Sequence, residues 1–321
     1  RARLIVISEL PEEWEAAVTC WKQINQSRRQ EDSESPDTND EYFLYQTLVG
    51  VFPFDPYDLG NVRDRVEQYV VKAVREAKVH TAWLRPDTDY EEAFVEFVRQ
   101  VLADGDDNEF LAAFRPFQQK IASYGMLNSL SQTLLKLTAP GVPDLYQGTE
   151  LWDFSLVDPD NRRPVDYGRQ AQLLHDLKNW AAADLPGLLA DLKYNATDGR
   201  IKLFSIHRLL STRHQYRELF DRGEYRPLRV TGKHADRVVA FLRKSGEAQA
   251  IAIAPRFCTE LVEPGQFPLG EEVWGNTAVE IPGSAAQTWV EAISGRSLSR
   301  KTTLSVGQLL ADFPIALWIS D

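Results

Sequence analysis

The hydrophobic period of this chain changes once, near Tyr225, and that change divides it into a helical part and a strand-built part. Before the change, Trp14, Ala17, Val18, Trp21 and Ile24 recur at helical spacing behind Pro11, a residue suited to a first helical turn. The same spacing predicts helices over Glu41–Val51, Val62–Ala77 and Tyr90–Leu102, and one long helix or two in tandem over Asn108–Thr138. Trp14, Trp21, Phe110, Phe114 and Phe117 lie on the apolar faces of these helices and are expected to be core. Ser27–Asp40 is polar and reads as a mobile linker, and Asp104–Asp107 as an acidic helix-start loop. Further helices are expected near Tyr167–Trp180, Pro186–Leu192 and Gly199–Phe220, until Arg222-Gly223-Glu224-Tyr225 breaks the pattern. Beyond the break, short alternating runs (Arg229–Thr231, Arg237–Arg243, Gln249–Ala254, Ala278–Ile281, Thr288–Ile293, Thr302–Val306 and Ala316–Ile319) predict an antiparallel β-sandwich. The expected domains are 1–222 and 223–321.

One short apolar run interrupts the helical part. Val142–Tyr146, bounded by Pro140-Gly141 and by Gly148, reads as a strand. A long helix precedes it, and a loop of aromatics, acids and arginines follows. This order is how a (β/α) barrel presents functional groups at the C-terminal end of a strand; the plainer reading is a turn-rich linker. A crossover helix needs only a dozen or more residues. The long helical stretch therefore reads as a crossover helix with a helical insertion, about residues 27–105, and insertions of that size commonly shape a substrate site.

Composition narrows the partners. A net charge of −11 argues against nucleic acid or an anionic membrane, both of which reward clustered Lys and Arg. No run approaches the ~20 apolar residues of a membrane span. Cys20 and Cys258 imply no disulfide framework, so a reducing cytoplasm is the expected setting. The five histidines show no metal-ligand spacing, and the acidic run at Asp104 lacks the closing glutamate of a calcium loop.

The wording of the interrupting stretch carries a resemblance. Gly141-Val142-Pro143-Asp144-Leu145-Tyr146-Gln147-Gly148-Thr149-Glu150 resembles the eighth-strand signature of the α-amylase superfamily, G-x-P-x-x-Y-x-G-x-E. Leu151-Trp152-Asp153-Phe154 and Asp158–Asp166 (DPDNRRPVD) are similar, more specifically, to the maltooligosyl trehalose synthases, glucan isomerases within that superfamily. So are Lys72–Lys78, Asn128–Lys136 and a stretch near the C-terminus, so the resemblance runs over essentially the whole chain. It implies α/β plus all-β architecture: the C-terminal part of a (β/α)8 barrel with a large helical insertion, then a β-sandwich. The implied reaction turns the reducing-end α-1,4 bond of a maltooligosaccharide into an α,α-1,1 bond through a glycosyl-enzyme intermediate. It needs neither cofactor nor metal.

In that family the nucleophile, general acid and third carboxylate stand at the ends of strands four, five and seven. The expectation is therefore that the reacting carboxylates lie in an N-terminal part of the same protein, that no catalytic residue falls in this chain, and that the chain alone is inactive. What remains can bind and shape. The candidate substrate-binding residues are Tyr146, Gln147, Glu150, Trp152, Asp158, Asp160, Arg162 and Arg163. Tyr146 and Trp152 can stack on the apolar faces of glucose rings, while Glu150 reads as support. Asp160 with Arg162 and Arg163 can hydrogen-bond sugar hydroxyls, or can pair and stiffen the loop. The cationic Lys72, Arg75 and Lys78, ahead of His80-Thr81-Ala82-Trp83, are either a solvated face or, by the resemblance, the far end of the glucan cleft. A hydrolase of trehalose-ended glucans and a non-catalytic carbohydrate-binding scaffold are the rival readings.

Overall fold

In the computed structural model, which describes residues 1–30, 33–54, 59–105, 107–282, 288–299 and 301–320, helix starts follow local chemistry. After α1 (Ala2–Ile7), α2 (Pro11–Asn25) opens on Pro11 with Glu12 and Glu13 in its first turn, where carboxylates complement the helix dipole. Asp37 caps α3 (Thr38–Val51) by accepting from Asp40 N at 2.8 Å. After α4 (Leu59–Ala77), Asp87 caps α5 (Thr88–Val101) by accepting from Tyr90 N at 3.1 Å. Before α6 (Glu109–Thr138), Asn108 Oδ1 accepts from the amides of Phe110 and Leu111. Asp106, within the acidic helix-start run, lies outside the described residues. α6 is one helix of 30 residues, not two.

The chain divides into two compact units, one of 1–125 with 154–164, the other of 126–153 with 165–321. In the first, the aromatics of α2, α3 and α6 form the core. Trp21 and Phe114 lie 5.2 Å apart between ring centres, and Trp14, Trp21, Tyr45, Phe110 and Phe114 are all buried. Phe117, expected in the core, is half-buried at its edge, 5.7 Å from Trp21. Truncating a ring in such a cluster costs about 3–5 kcal/mol, so this packing outweighs helix propensity in holding the unit. Of the expected mobile linker, Glu31 and Asp32 lie outside the described residues, and the rest is pinned. Ser35 donates to Tyr90 O at 2.7 Å, and Arg29 bonds both Pro36 O and the Glu41 carboxylate. Polarity suggested mobility; buried partners supplied by α3 and α5 prevent it.

The second unit holds α7 (Tyr167–Ala183), α8 (Leu185–Tyr194), α9 (Arg200–Gln215) and α10 (Arg217–Arg222). The change of period falls where the sequence placed it, since β1 (Glu224–Pro227) follows at once. The compact units do not divide there, however: these four helices group with the strands. Then come β2 (Val230–Thr231), β3 (Val238–Ser245), β4 (Ala248–Pro255), α11 (Gly270–Trp274), β5 (Ala278–Glu280), β6 (Thr288–Glu291), β7 (Ser297–Ser299), β8 (Thr303–Ser305), α12 (Val306–Leu309) and β9 (Ala316–Ser320). They form an antiparallel sheet in the order β1-β3-β4-β9-β6-β7 and a smaller one in the order β2-β5-β8. Ile251 and Ile253 of β4 share one buried cluster with Val279, Leu304 and Trp318, drawn from both sheets. The alternate residues Ala250, Ala252 and Ala254 are also buried, and α10 packs over β3 and β4. Successive side chains of a strand point to opposite faces, and alanine on the helix side admits a close neighbour.

Arg243 of β3 joins the helices to this sheet. Its guanidinium is buried and donates to Thr138 O at 2.8 Å, and to Phe220 O and Gly223 O at 2.9 Å each. These carbonyls stand at the ends of α6 and α10, where no intrahelical donor remains.

The strand expected over Val142–Tyr146 is not formed; these residues have no regular secondary structure, and Val142 is 97% exposed. A strand exists only where a neighbour completes its ladder, and no described segment pairs with this one.

Candidate functional site

The loop 154–164, in the first unit, is built around Asp160. Its carboxylate accepts from Arg65 Nε at 2.9 Å, Arg65 Nη2 at 2.8 Å and Leu156 N at 2.6 Å. Arg65 Nη2 also bonds Phe154 O at 2.6 Å, so one guanidinium of α4 grips both ends of the turn. Burial alone would raise the Asp160 pKa. The bonds from Arg65 and the Leu156 amide, with the charges of Arg65 and Arg163, outweigh it and hold the carboxyl below its usual range. Lys72, two turns beyond Arg65 on the same helix face, donates to Asp158 O. Arg162 forms a bidentate pair with Asp158, at 3.0 and 2.7 Å, and Arg163 Nε bonds Asp160 O at 3.0 Å. Both arginines are largely exposed, so these pairs add little stability and leave the groups open to exchange partners.

Beside this loop lies a cavity of about 540 Å³, bounded by α4, Trp83 and residues 156–160. Asp158, Asp160 and Arg163 line it, as do Arg65, Gln68, Tyr69 and Lys72.

The other candidates lie in the second unit. Tyr146 and Gln147 are exposed, and Glu150 is half-buried with Oε2 unpartnered. Trp152 is committed to packing. Its indole N–H donates to Ala196 O at 2.7 Å, and Gly199, at φ 84°, comes so close that a Cβ there would sit 3.0 Å from Trp152 N. Lys202 Nζ lies 5.7 Å from the centre of the Trp152 ring and donates to Leu151 O at 3.2 Å. Burial, reinforced by Lys136, lowers the Lys202 pKa to about 8.

The cationic trio separates. Lys72 serves the loop, and Arg75 forms a bidentate pair with Glu91 at 2.7 and 2.6 Å. Lys78 lies past the end of α4, in the left-handed region at φ 58°. Sequence reading missed Arg65, although its seven-residue offset from Lys72 was a usable signal, and missed Lys202, which nothing in its helix distinguishes. It also missed the approach of His80 to Asp37 and Asp40, whose ligand atoms lie within 4.8 Å of one another. His80 Nε2 is 2.8 Å from Asp37 Oδ2, across 43 positions of sequence, and Tyr90 OH donates to Asp40 Oδ2 at 2.5 Å. Capping of α3 and these bonds account for the group.

No helix of the described residues is long and apolar enough to cross a membrane. No protein-family model matches the chain. Two curated relatives from Mycobacterium tuberculosis (strains CDC 1551 / Oshkosh and H37Rv), each named "Putative maltooligosyl trehalose synthase", are 32% identical to it over 321 residues. The alignment covers 100% of this chain and 36% of each relative. The solved maltooligosyltrehalose synthase of Arthrobacter ramosus matches with a TM-score of 0.77 and 30% identity, over 100% of this chain and 36% of that one. A second solved maltooligosyl trehalose synthase gives 0.71 and 27%, over 100% and 38%. Over its whole length, this chain is thus similar to part of these maltooligosyl trehalose synthases, and it spans 36% of the length of the curated relatives it matches.

Proposed function

We propose that the longer protein containing this chain is a glucan isomerase. It converts the reducing-end α-1,4 bond of a maltooligosaccharide to an α,α-1,1 bond, in the cytoplasm. The observation that carries this reading is similarity covering all 321 residues at both sequence and structure level. In this reading 1–222 is the C-terminal part of a (β/α)8 barrel of the α-amylase superfamily with a helical insertion, and 223–321 is a β-sandwich. The nucleophile and general acid, about 5–5.5 Å apart in retaining enzymes, come from the remainder of the protein. The freed glucose stays enclosed and attacks the glycosyl-enzyme intermediate through its anomeric hydroxyl. Water must be excluded, because its attack on the same intermediate gives hydrolysis.

This chain contributes binding and shape. Tyr146, Gln147, Asp158, Arg162 and Arg163 contact sugar, and the exposure of Tyr146, Gln147 and the two arginines supports that role. Asp160, Glu150 and Trp152 position their loops, because the bonds of Asp160 and Trp152 are already taken within the fold. Incubating the whole protein with maltopentaose should remove reducing ends without releasing glucose, while this chain alone should do neither. Release of glucose as the main product would replace the isomerase reading with the hydrolase.

A further inference from the structure

Trp83 is an exposed tryptophan on a purpose-built mount. It stands in a tight turn closed by Ala82 N to Arg85 O at 3.2 Å and Arg85 N to Ala82 O at 3.0 Å. The guanidinium of Arg75 lies 5.0 Å from the ring centre, and Arg75 is itself fixed by the bidentate bond to Glu91. Glu91 also accepts from Thr81 Oγ1 at 2.6 Å, and Thr81 accepts from Asp87 N at 2.9 Å. This chain of bonds orders the turn, yet leaves Trp83 53% exposed at the edge of the 540 Å³ cavity. Exposing a large aromatic costs hydrophobic stabilisation, and ordering it in that state suits a surface that receives a flat partner.

The lining chemistry selects the partner. Three carboxylates (Asp64, Asp158 and Asp160) face three cations (Arg65, Lys72 and Arg163), so the wall carries no net charge. Arg65 and Lys72 are engaged with the loop, and the one exchangeable cation among the described lining residues, Arg163, makes no cluster for a phosphate. Gln68 and Tyr69 offer neutral donors and acceptors on the α4 side. A cavity of this size holds a small ligand. We propose that it binds a neutral saccharide, one ring stacked on the exposed side of Trp83 and hydroxyls bonded to Gln68, Asp64 and the Asp158 carboxylate. This draws on the proposed glucan reading only for the choice of sugar.

The test uses the whole protein, with maltotriose as probe in equilibrium titration and as substrate in steady-state kinetics. Trp83→Ala should weaken maltotriose binding about tenfold, the equivalent of 1.4 kcal/mol, and raise KM similarly with kcat within twofold. Trp83→Phe should recover most of the loss, and Gln68→Ala should lose two- to fivefold. A Trp83→Ala protein that melts like wild type and binds within twofold of it overturns the proposal, as does a loss confined to kcat. Trp83-dependent binding by a protein that makes no non-reducing product would uphold the cavity and sink the isomerase reading. Normal product with Trp83-independent binding and KM would do the reverse.

Discussion

Two segments of this chain, 139–148 and 154–164, are both loops and are unlike in how they are held. Both are punctuated by Gly or Pro and neither contains a strand. The second is tied down by Arg65 and Lys72 from a helix far away in sequence, and its central carboxylate has its bonds satisfied. The first is held by Arg213 Nη2 to Gly141 O at 3.0 Å and by a turn from Thr149 N to Tyr146 O at 3.0 Å, with Val142 almost wholly in solvent. Order in a loop therefore depends on whether another element supplies partners, and motif wording is silent on that.

The comparison breaks most visibly at Arg65. Arg65→Ala leaves the enclosed Asp160 carboxylate and the Phe154 carbonyl without their donor, and should cost about 3 kcal/mol in denaturant unfolding. The loss should depend on pH. Asp160 has a lowered folded-state pKa, so its contribution is complete above the unfolded value near 3.9 and fades as pH falls through the folded one. The gap between wild type and Arg65→Ala should accordingly narrow below about pH 4. An unchanged gap at pH 3 would mean that the guanidinium acts by packing alone.

Lys202 gives the next largest effect, and here too stability rises with pH, but in the alkaline range. Its folded-state pKa near 8 lies below the unfolded value of about 10.4. Between those values the unfolded chain holds more protons, so stability rises with pH, by about 2 kcal/mol from pH 8 to 10. Lys202→Met should abolish that rise. A rise that survives the substitution would place the titrating group elsewhere.

How much of this was legible depended on the distance over which each feature is determined. Helices and strands follow from spacing, caps and breaks within a few residues, which is why α2, α5 and β3 fell close to their expected bounds. The pinned linker, the Arg65 clamp and the Trp83 mount each need partners more than ten positions away, and polar spacing does not encode which partner a side chain finds. The strand at Val142 failed for a related reason. Its residues have the right composition, but a strand is a property of a pair, and the described residues supply one member.

That failure leads to the smallest effect and the sharpest use of the comparison. If 142–146 is completed in the longer protein, as the barrel reading requires, Val142 should pass from solvent to a packed site. In this chain Val142→Ser removes no buried surface and should change stability by less than about 0.5 kcal/mol. In the whole protein the same change would place a hydroxyl where a buried β-branched side chain stood and cost about 2 kcal/mol. Amide exchange gives an independent measure: the amides of Asp144 and Leu145 should exchange freely here and be protected there, because a ladder bond must open before exchange. Equal effects of Val142→Ser in the two contexts, with equal exchange, would mean that the segment is a surface linker in both and that the eighth strand lies elsewhere.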